Sequence, residues 1–259
     1  MDGPNVAIML GRKGSKGFPG KNLIPILGRP MMMYPLLAAL NSRYVEQTFV
    51  TTDDPEIMEL SAREGANVIE RPPELCTDEA LFEDALVHAY HETKRRIGVM
   101  PGYVIILMCN APTITSDMVD SGIDMLESHP EADSAVSVSS FNMWSPLRAR
   151  KLSEDGFLNP FVPFETFGDP ATLSCDRDSQ GDVYYADMGV SVSRARALED
   201  IDNGLLPQKW MGKKILPIDN WAGMDIDYGW QIPIAEYWLK EHGFTESINP
   251  PPDRATTSN

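Results

Sequence analysis

The chain has 259 residues, 42% of them apolar and 23% charged, with 22 Lys and Arg against 38 Asp and Glu and a net charge of −16. That apolar share supplies a core and excludes disorder as the dominant state. The acidic balance argues against sequence-independent nucleic-acid binding, which rests on cations neutralising phosphates; an anionic ligand requires the basic groups to be gathered locally. Cys76, Cys109 and Cys175 lie far apart with no CxxC pair, so they are expected to be buried free thiols of a reducing compartment. The N-terminus lacks the basic and long apolar regions of a signal peptide, and no run approaches the roughly 18 apolar residues of a membrane span. The expectation is a soluble, cytoplasmic protein.

Asn5–Leu10 reads as a buried strand, followed by a Gly-rich stretch and a helical segment from about Met31 to Asn41. Gln47–Thr52 is a second strand. Pro55 opens a helix at a position where its missing N–H does no harm, and Gly65 closes it. Asn67–Ile69 is a short strand, and a helical pattern runs from about Glu79 to Arg96. The apolar run Tyr103–Met108 predicts a strand covered on both faces. Ser116 is placed to cap a helix to about Ser128, and Ala135–Ser140 alternates like a strand. The pattern breaks between Phe141 and Asp187. It resumes with a strand at Gly189–Ser193, a helix near Arg194–Asn203, a strand at Ile215–Ile218 and a helix from about Trp230 to His242. Alternating strands and helices imply an α/β fold with a mostly parallel, Rossmann-like sheet flanked by helices. The expected organisation is an α/β domain from 1–140 and 188–248, an insertion at 141–187 and a flexible tail at 249–259.

The loop after the first strand, Gly11 to Asn22 (GRKGSKGFPGKN), carries the most information. It stands at the carboxyl edge, where open α/β sheets bind ligands. Its glycines let backbone amides approach a ligand, and Arg12, Lys13, Lys16 and Lys21 concentrate positive charge in an acidic chain. Free amides with cations suit a polyphosphate. The loop is not a Walker A sequence, because Ser15 stands at the first Gly position and Asn22 follows the lysine. Nor does a glycine spacing of three match GxGxxG.

Arg12, Ser15, Lys16, Gly17, Pro19, Lys21 and Asn22 instead resemble the signature loop of the acylneuraminate cytidylyltransferases, in which Arg-x-x-Ser-Lys-Gly-x-Pro-x-Lys-Asn follows the first strand. The resemblance implies a nucleotide-diphospho-sugar transferase type of fold. It implies that Arg12 and Lys21 hold the phosphates of CTP, that Asn22 lies near the cytidine, and that Gly14, the Ser15 amide and Lys16 complete the anion cradle. Further stations follow in the family's order. Thr51-Thr52-Asp53 ends the second strand. Arg71-Pro72-Pro73-Glu74-Leu75 with Thr77-Asp78 resembles the segment whose arginine contacts cytosine, and a guanidinium suits the acceptors on that base edge. Tyr184–Val192, with Tyr185 and Asp187, resembles the region that reads the acceptor sugar. Asp225 and Asp227, two apart on an extended segment, can face the same way, and the resemblance assigns them to Mg2+. The family's Leu-x-Gln-Pro-Thr-Ser-Pro stretch becomes Leu107-Met108-Cys109-Asn110-Ala111-Pro112-Thr113, and its Asn-Gly becomes Met188-Gly189. Asn110 retains a polar contact for nucleotide or sugar.

The function expected from this resemblance is a Mg2+-dependent cytidylyltransferase that activates a nonulosonic (sialic-acid-like) 2-keto sugar acid with CTP, releasing pyrophosphate. Arg12, Lys21 and Asp227 are its catalytic candidates; the proton acceptor is left open between an aspartate and a metal-bound hydroxide. Residues 141–187 would serve dimerisation and sugar binding, with Arg148, Arg177 and Gln180 placed to meet the sugar carboxylate in a homodimer. Two alternatives are a 3-deoxy-octulosonate cytidylyltransferase and a non-catalytic nucleotide-sugar-binding protein of the same fold. His88 and His91 lack a third metal ligand and read as an ordinary histidine pair. The methionines read as core filler, and the five tryptophans as core or interface aromatics.

Overall fold

The computed structural model describes residues 3–14 and 17–246; Ser15 and Lys16 of the signature loop, and the tail at 249–259, lie outside the described residues. In chain order the elements are β1 (Val6–Leu10), β2 (Pro25–Ile26), β3 (Arg29–Pro30), α1 (Met33–Leu40), β4 (Gln47–Thr52), α2 (Pro55–Arg63), β5 (Asn67–Glu70), α3 (Phe82–Ile97), β6 (Tyr103–Met108), α4 (Ser116–Ser128) and β7 (Ser134–Ser140). Then follow β8 (Arg150–Leu152), β9 (Leu158–Pro160), β10 (Tyr184–Arg194), α5 (Ala195–Glu199), β11 (Ile215–Asp219) and α6 (Ile232–Glu241).

Seven strands form one sheet in the order β11-β7-β10-β6-β1-β4-β5. All neighbours are parallel except β10, which runs antiparallel to both β6 and β7. The mostly parallel sheet is therefore borne out. Strand β1 is wholly buried because both faces are covered. Ala7 and Met9 join the core under α1, α2 and α4; Val6, Ile8 and Leu10 join the core under α3 and α5. Val6, Ile8, Met9 and Leu10 each contribute about 1.5–3 kcal/mol on burial. A third cluster packs Ile26, Met31 and Tyr34 against Ile226, Trp238 and Leu239, which fastens the segment after β11 onto α6.

Several local expectations need correction. Thr115, not Ser116, caps α4: its hydroxyl accepts from the Met118 amide at 3.3 Å. Helix α3 starts at Phe82 rather than Glu79, after an extended Leu81. Strand β10 begins at Tyr184, five residues before the expected start, because a register shift between Ala186 and Ser191 absorbs Met188 in a left-handed conformation (φ 62°). Only Cys109 of the three thiols is fully buried, and Cys175 is exposed. Trp210 and Trp238 lie in the core, whereas Trp144, Trp221 and Trp230 are exposed. Between β7 and β10 the chain leaves the main sheet. There it forms the two-stranded β8–β9 sheet and several single turns of 3-10 helix. No helix among the described residues is long and apolar enough to cross a membrane.

Candidate active site

A cleft of about 230 Å3 opens at the carboxyl ends of β1, β5 and β6. Strand β1 is flanked by β4 on one side and β6 on the other, and the connections leave in opposite directions. Such a reversal opens a crevice above the sheet. The cleft is lined by Arg12, Gly14, Lys21, Asn22, Arg71 and Asn110, with Leu81 and Phe82 as part of its apolar wall. These polar residues come from three separate stretches of sequence.

Backbone chemistry shapes the loop. The Gly11 amide donates to the Thr51 carbonyl at 3.2 Å, and a Cβ on Gly11 would overlap the Cys109 sulfur. Burial pushes that thiol up to about 12, so Cys109 is inert packing. Gly14 and Gly20 take left-handed conformations. The Lys13 amide donates to Asp53 Oδ1 at 2.6 Å, and Asn22 Nδ2 donates to the Arg12 carbonyl at 3.2 Å. Asp53 thus ties the end of β4 to the loop.

Arg12 donates to the carbonyls of Cys76 and Thr77 at 3.2 and 3.1 Å and to Asp78 Oδ1 at 2.9 Å. It closes the cleft by holding the segment after β5. Arg71 is buried at the end of β5, with Nη2 donating to the Thr51 carbonyl at 2.9 Å. Burial lowers its pKa from the ordinary arginine value, and the neighbouring Cys76, Cys109 and Asp53 oppose that shift. A guanidinium remains charged at neutral pH all the same.

The acidic pair approaches from the far end of the chain. Ile226 is fully buried in the third core cluster, so Asp225 and Asp227 project to the other side of the extended segment. The Ile226 amide donates to the Asn110 carbonyl at 2.8 Å, and Asn110 Nδ2 returns a bond to the Ile226 carbonyl at 3.1 Å. Asp227 forms an ion pair with Lys21, while Gln231 Oε1 accepts from the amides of Asp227 and Tyr228 at 2.7 and 2.8 Å. Burial, then the charge of Asp227, raises the Asp225 pKa above the ordinary carboxylate value, with Lys21 opposing.

Two carboxylates forced together beside a lysine form a hard-oxygen, anionic donor set. Mg2+ is commonly held this way, through one or two carboxylates plus substrate phosphates. Among the described residues no group of three or more His, Cys, Asp or Glu side chains is placed to hold a metal ion. The raised pKa has a stability consequence. Between the ordinary carboxylate value and the raised one, the folded state holds a proton that the unfolded state has lost, so stability falls as pH rises through that window. Asp225→Asn is therefore expected to raise the Tm at pH 7.5. Thermal melts at pH 7.5 and pH 5 should show the gain shrinking on acidification.

The other sequence-derived candidates do not line this cleft. Arg177 pairs with Asp178, Gln180 donates to the Ser179 carbonyl at 3.1 Å, and the Tyr185 hydroxyl donates to the Trp144 carbonyl. Asp187 is buried, accepting from Ser137, from the Gly189 amide at 2.9 Å and from Asn220 Nδ2 at 2.8 Å. Sequence reasoning missed Thr113, Asn220 and Gln231, which hold the acidic segment. A polar residue directly after a strand, as Asn220 stands after β11, was the available signal.

The fold and this cleft define an α/β protein with a mostly parallel sheet, at whose edge a Gly/Lys loop meets an acidic pair. Residues 6–153 match the family model described as cytidylyltransferase, and the chain belongs to that family. It is 37% identical over 84 residues to an N-acylneuraminate cytidylyltransferase of Escherichia coli, covering 32% of this chain and 20% of the relative. It is 30% identical over 115 residues to a pseudaminic acid cytidylyltransferase of Campylobacter jejuni, covering 44% of this chain and 50% of the relative. These matches span half or less of each relative's length. The fold is also that of a CMP:2-keto-3-deoxy-manno-octonic acid synthetase solved with CTP, at a TM-score of 0.63 and 15% identity over 92% of this chain and 99% of that one.

Proposed function

We propose that the protein transfers CMP from CTP to the anomeric hydroxyl of a nonulosonic acid. The new bond joins that oxygen to the α-phosphorus; the bond from the α-phosphorus to the bridging oxygen breaks, and pyrophosphate leaves. The observation that carries this reading is the convergence of Arg12, Lys21, Asn22, Arg71 and Asn110 on one cleft, with Lys21 paired to Asp227 from more than 200 residues away.

Arg71, at the back of the cleft, reads the cytosine edge. Lys21 and the amides of the loop, with Ser15 and Lys16, grip the phosphates. Arg12 turns from Asp78 to the phosphates as the nucleotide enters. Asp225 and Asp227 hold Mg2+, which when bound offsets charge on the phosphates. Asn110 spans nucleotide and sugar. The work is positioning and charge neutralisation, as phosphoryl transfer requires.

Residues 141–187 expose Met143, Trp144, Leu152, Phe157, Leu158 and Phe161. A patch of that kind marks an association surface, and it supports a homodimer in which Arg177, Gln180 and Tyr185 of one subunit serve the acceptor end of its partner's cleft. Three free thiols support a reducing, cytoplasmic setting. Pyrophosphate release from CTP and Mg2+, measured across a panel of neuraminate, legionaminate, pseudaminate and 3-deoxy-octulosonate acceptors, tests the reading. Release with one nonulosonate is expected; release with 3-deoxy-octulosonate alone transfers the assignment to that acid. No release with any acceptor reduces the protein to a nucleotide-sugar binder.

A further inference from the structure

A buried polar network joins β7, β10 and the segment after β11. The Asp187 carboxylate, 6% exposed, accepts from the Ser137 hydroxyl on β7, the Gly189 amide on β10 and the Asn220 side chain, with the Ser139 hydroxyl 3.4 Å away. Asn220, 3% exposed, also donates to the Thr113 carbonyl at 3.1 Å and accepts from the Trp238 indole at 3.1 Å. Its backbone is held as well: its amide donates to the Val138 carbonyl at 2.9 Å, and its carbonyl accepts from Ser139. Four residues on, Thr113 Oγ1 accepts from the Met224 amide at 2.9 Å and donates to the Met224 carbonyl at 3.1 Å. A Cβ on the intervening Gly223 would overlap both Asp187 and Asn220. The segment leading to Asp225 and Asp227 is therefore pressed onto this carboxylate with no slack.

An ionisable group is costly to bury unless its acceptor capacity is filled. Hydrophobic residues would hold the sheet at that position without the cost. What the carboxylate adds is a fixed meeting point for donors from β7, β10 and the segment after β11. We propose that Asp187 is a positioning residue for the acidic pair: through Asn220 it sets where Asp225 and Asp227 stand relative to Lys21. This rests on the reading of that pair as part of the transfer site.

The test compares the full-length protein with Asp187→Asn and with Trp238→Phe. The second variant removes the indole donor to Asn220 together with part of a fully buried ring, so it serves if the first fails to fold, with the α6 amides read for the loss of packing. Hydrogen exchange is read at the Met224 and Ile226 amides, alongside kcat and the KM for CTP. Each variant is expected to speed exchange at 224 and 226 about tenfold, roughly the effect of one lost buried hydrogen bond, with β1 and β6 amides unchanged. In turnover, kcat falls about tenfold while the KM for CTP stays within about twofold, because Arg71 and the loop lie outside the network. Three results overturn the proposal: unchanged exchange at 224 and 226 in both variants, faster exchange spread evenly over the sheet, or a raised KM for CTP at constant kcat. Absence of CTP turnover in the unmodified protein would instead defeat the transfer reading, and the exchange arm would still decide whether Asp187 holds the segment.

Discussion

Lys21→Ala is expected to lower kcat/KM for CTP about 100-fold, the usual loss when a preorganised electrostatic stabiliser is removed. Lys21 stands on the single 3-10 turn Lys21–Leu23, directly after the left-handed Gly20, so the turn rather than a flexible strand carries its ammonium to the cleft. There it is mostly enclosed, with 14% of its side chain exposed, against Asp227. Removal deletes the proposed phosphate partner and the counter-charge of Asp227 together. A double-mutant cycle with Asp227→Asn separates the two contributions, since residues in one ion pair are expected to be non-additive. Pyrophosphate release at subsaturating CTP measures the effect; a Lys21→Ala protein with unimpaired kcat/KM removes the loop from the transfer site.

Asp227→Asn carries the other large effect. Its carboxylate is exposed and its backbone is fixed by Gln231, so the substitution leaves packing intact, and the circular dichroism spectrum and Tm should be nearly unchanged. Turnover is expected to fall by about three orders of magnitude, the upper end for loss of one charge stabiliser, and added Mg2+ should not restore it. Asp225 alone leaves one carboxylate and half the negative charge for a hard cation that binds through side-chain oxygens and substrate phosphates. A variant with full activity across a Mg2+ titration refutes the assignment of the pair to the cation.

The elements most legible in the sequence were those governed by local rules. Gln47–Thr52 and Tyr103–Met108 appear with the expected limits, because a continuous apolar run between turn signals has one favourable outcome in a sheet covered on both sides. Pro55 and Gly65 bounded α2 through their own backbone restrictions. Strand β10 was less legible. Its first half pairs with β7 across a register shift, and an alternating reading starts only where the register becomes regular. The Thr115 cap was missed in favour of Ser116 because both hydroxyls satisfy the pattern; only the turn geometry chooses between them.

The site divides in the same way. By itself the sequence determined the Gly/Lys loop, its place after the first strand and the spacing that lets two aspartates face together, because each depends on neighbours within a few residues. The tertiary structure alone decided that Lys21 meets Asp227, that Arg12 reaches Asp78 after β5, and that Asp187 is buried among hydrogen-bond donors rather than lining the cleft. Those outcomes depend on which strand lies beside which, and on the hydrogen-bond donors that a buried carboxylate must find. Both are properties of the assembled sheet, and no short stretch of chain contains them.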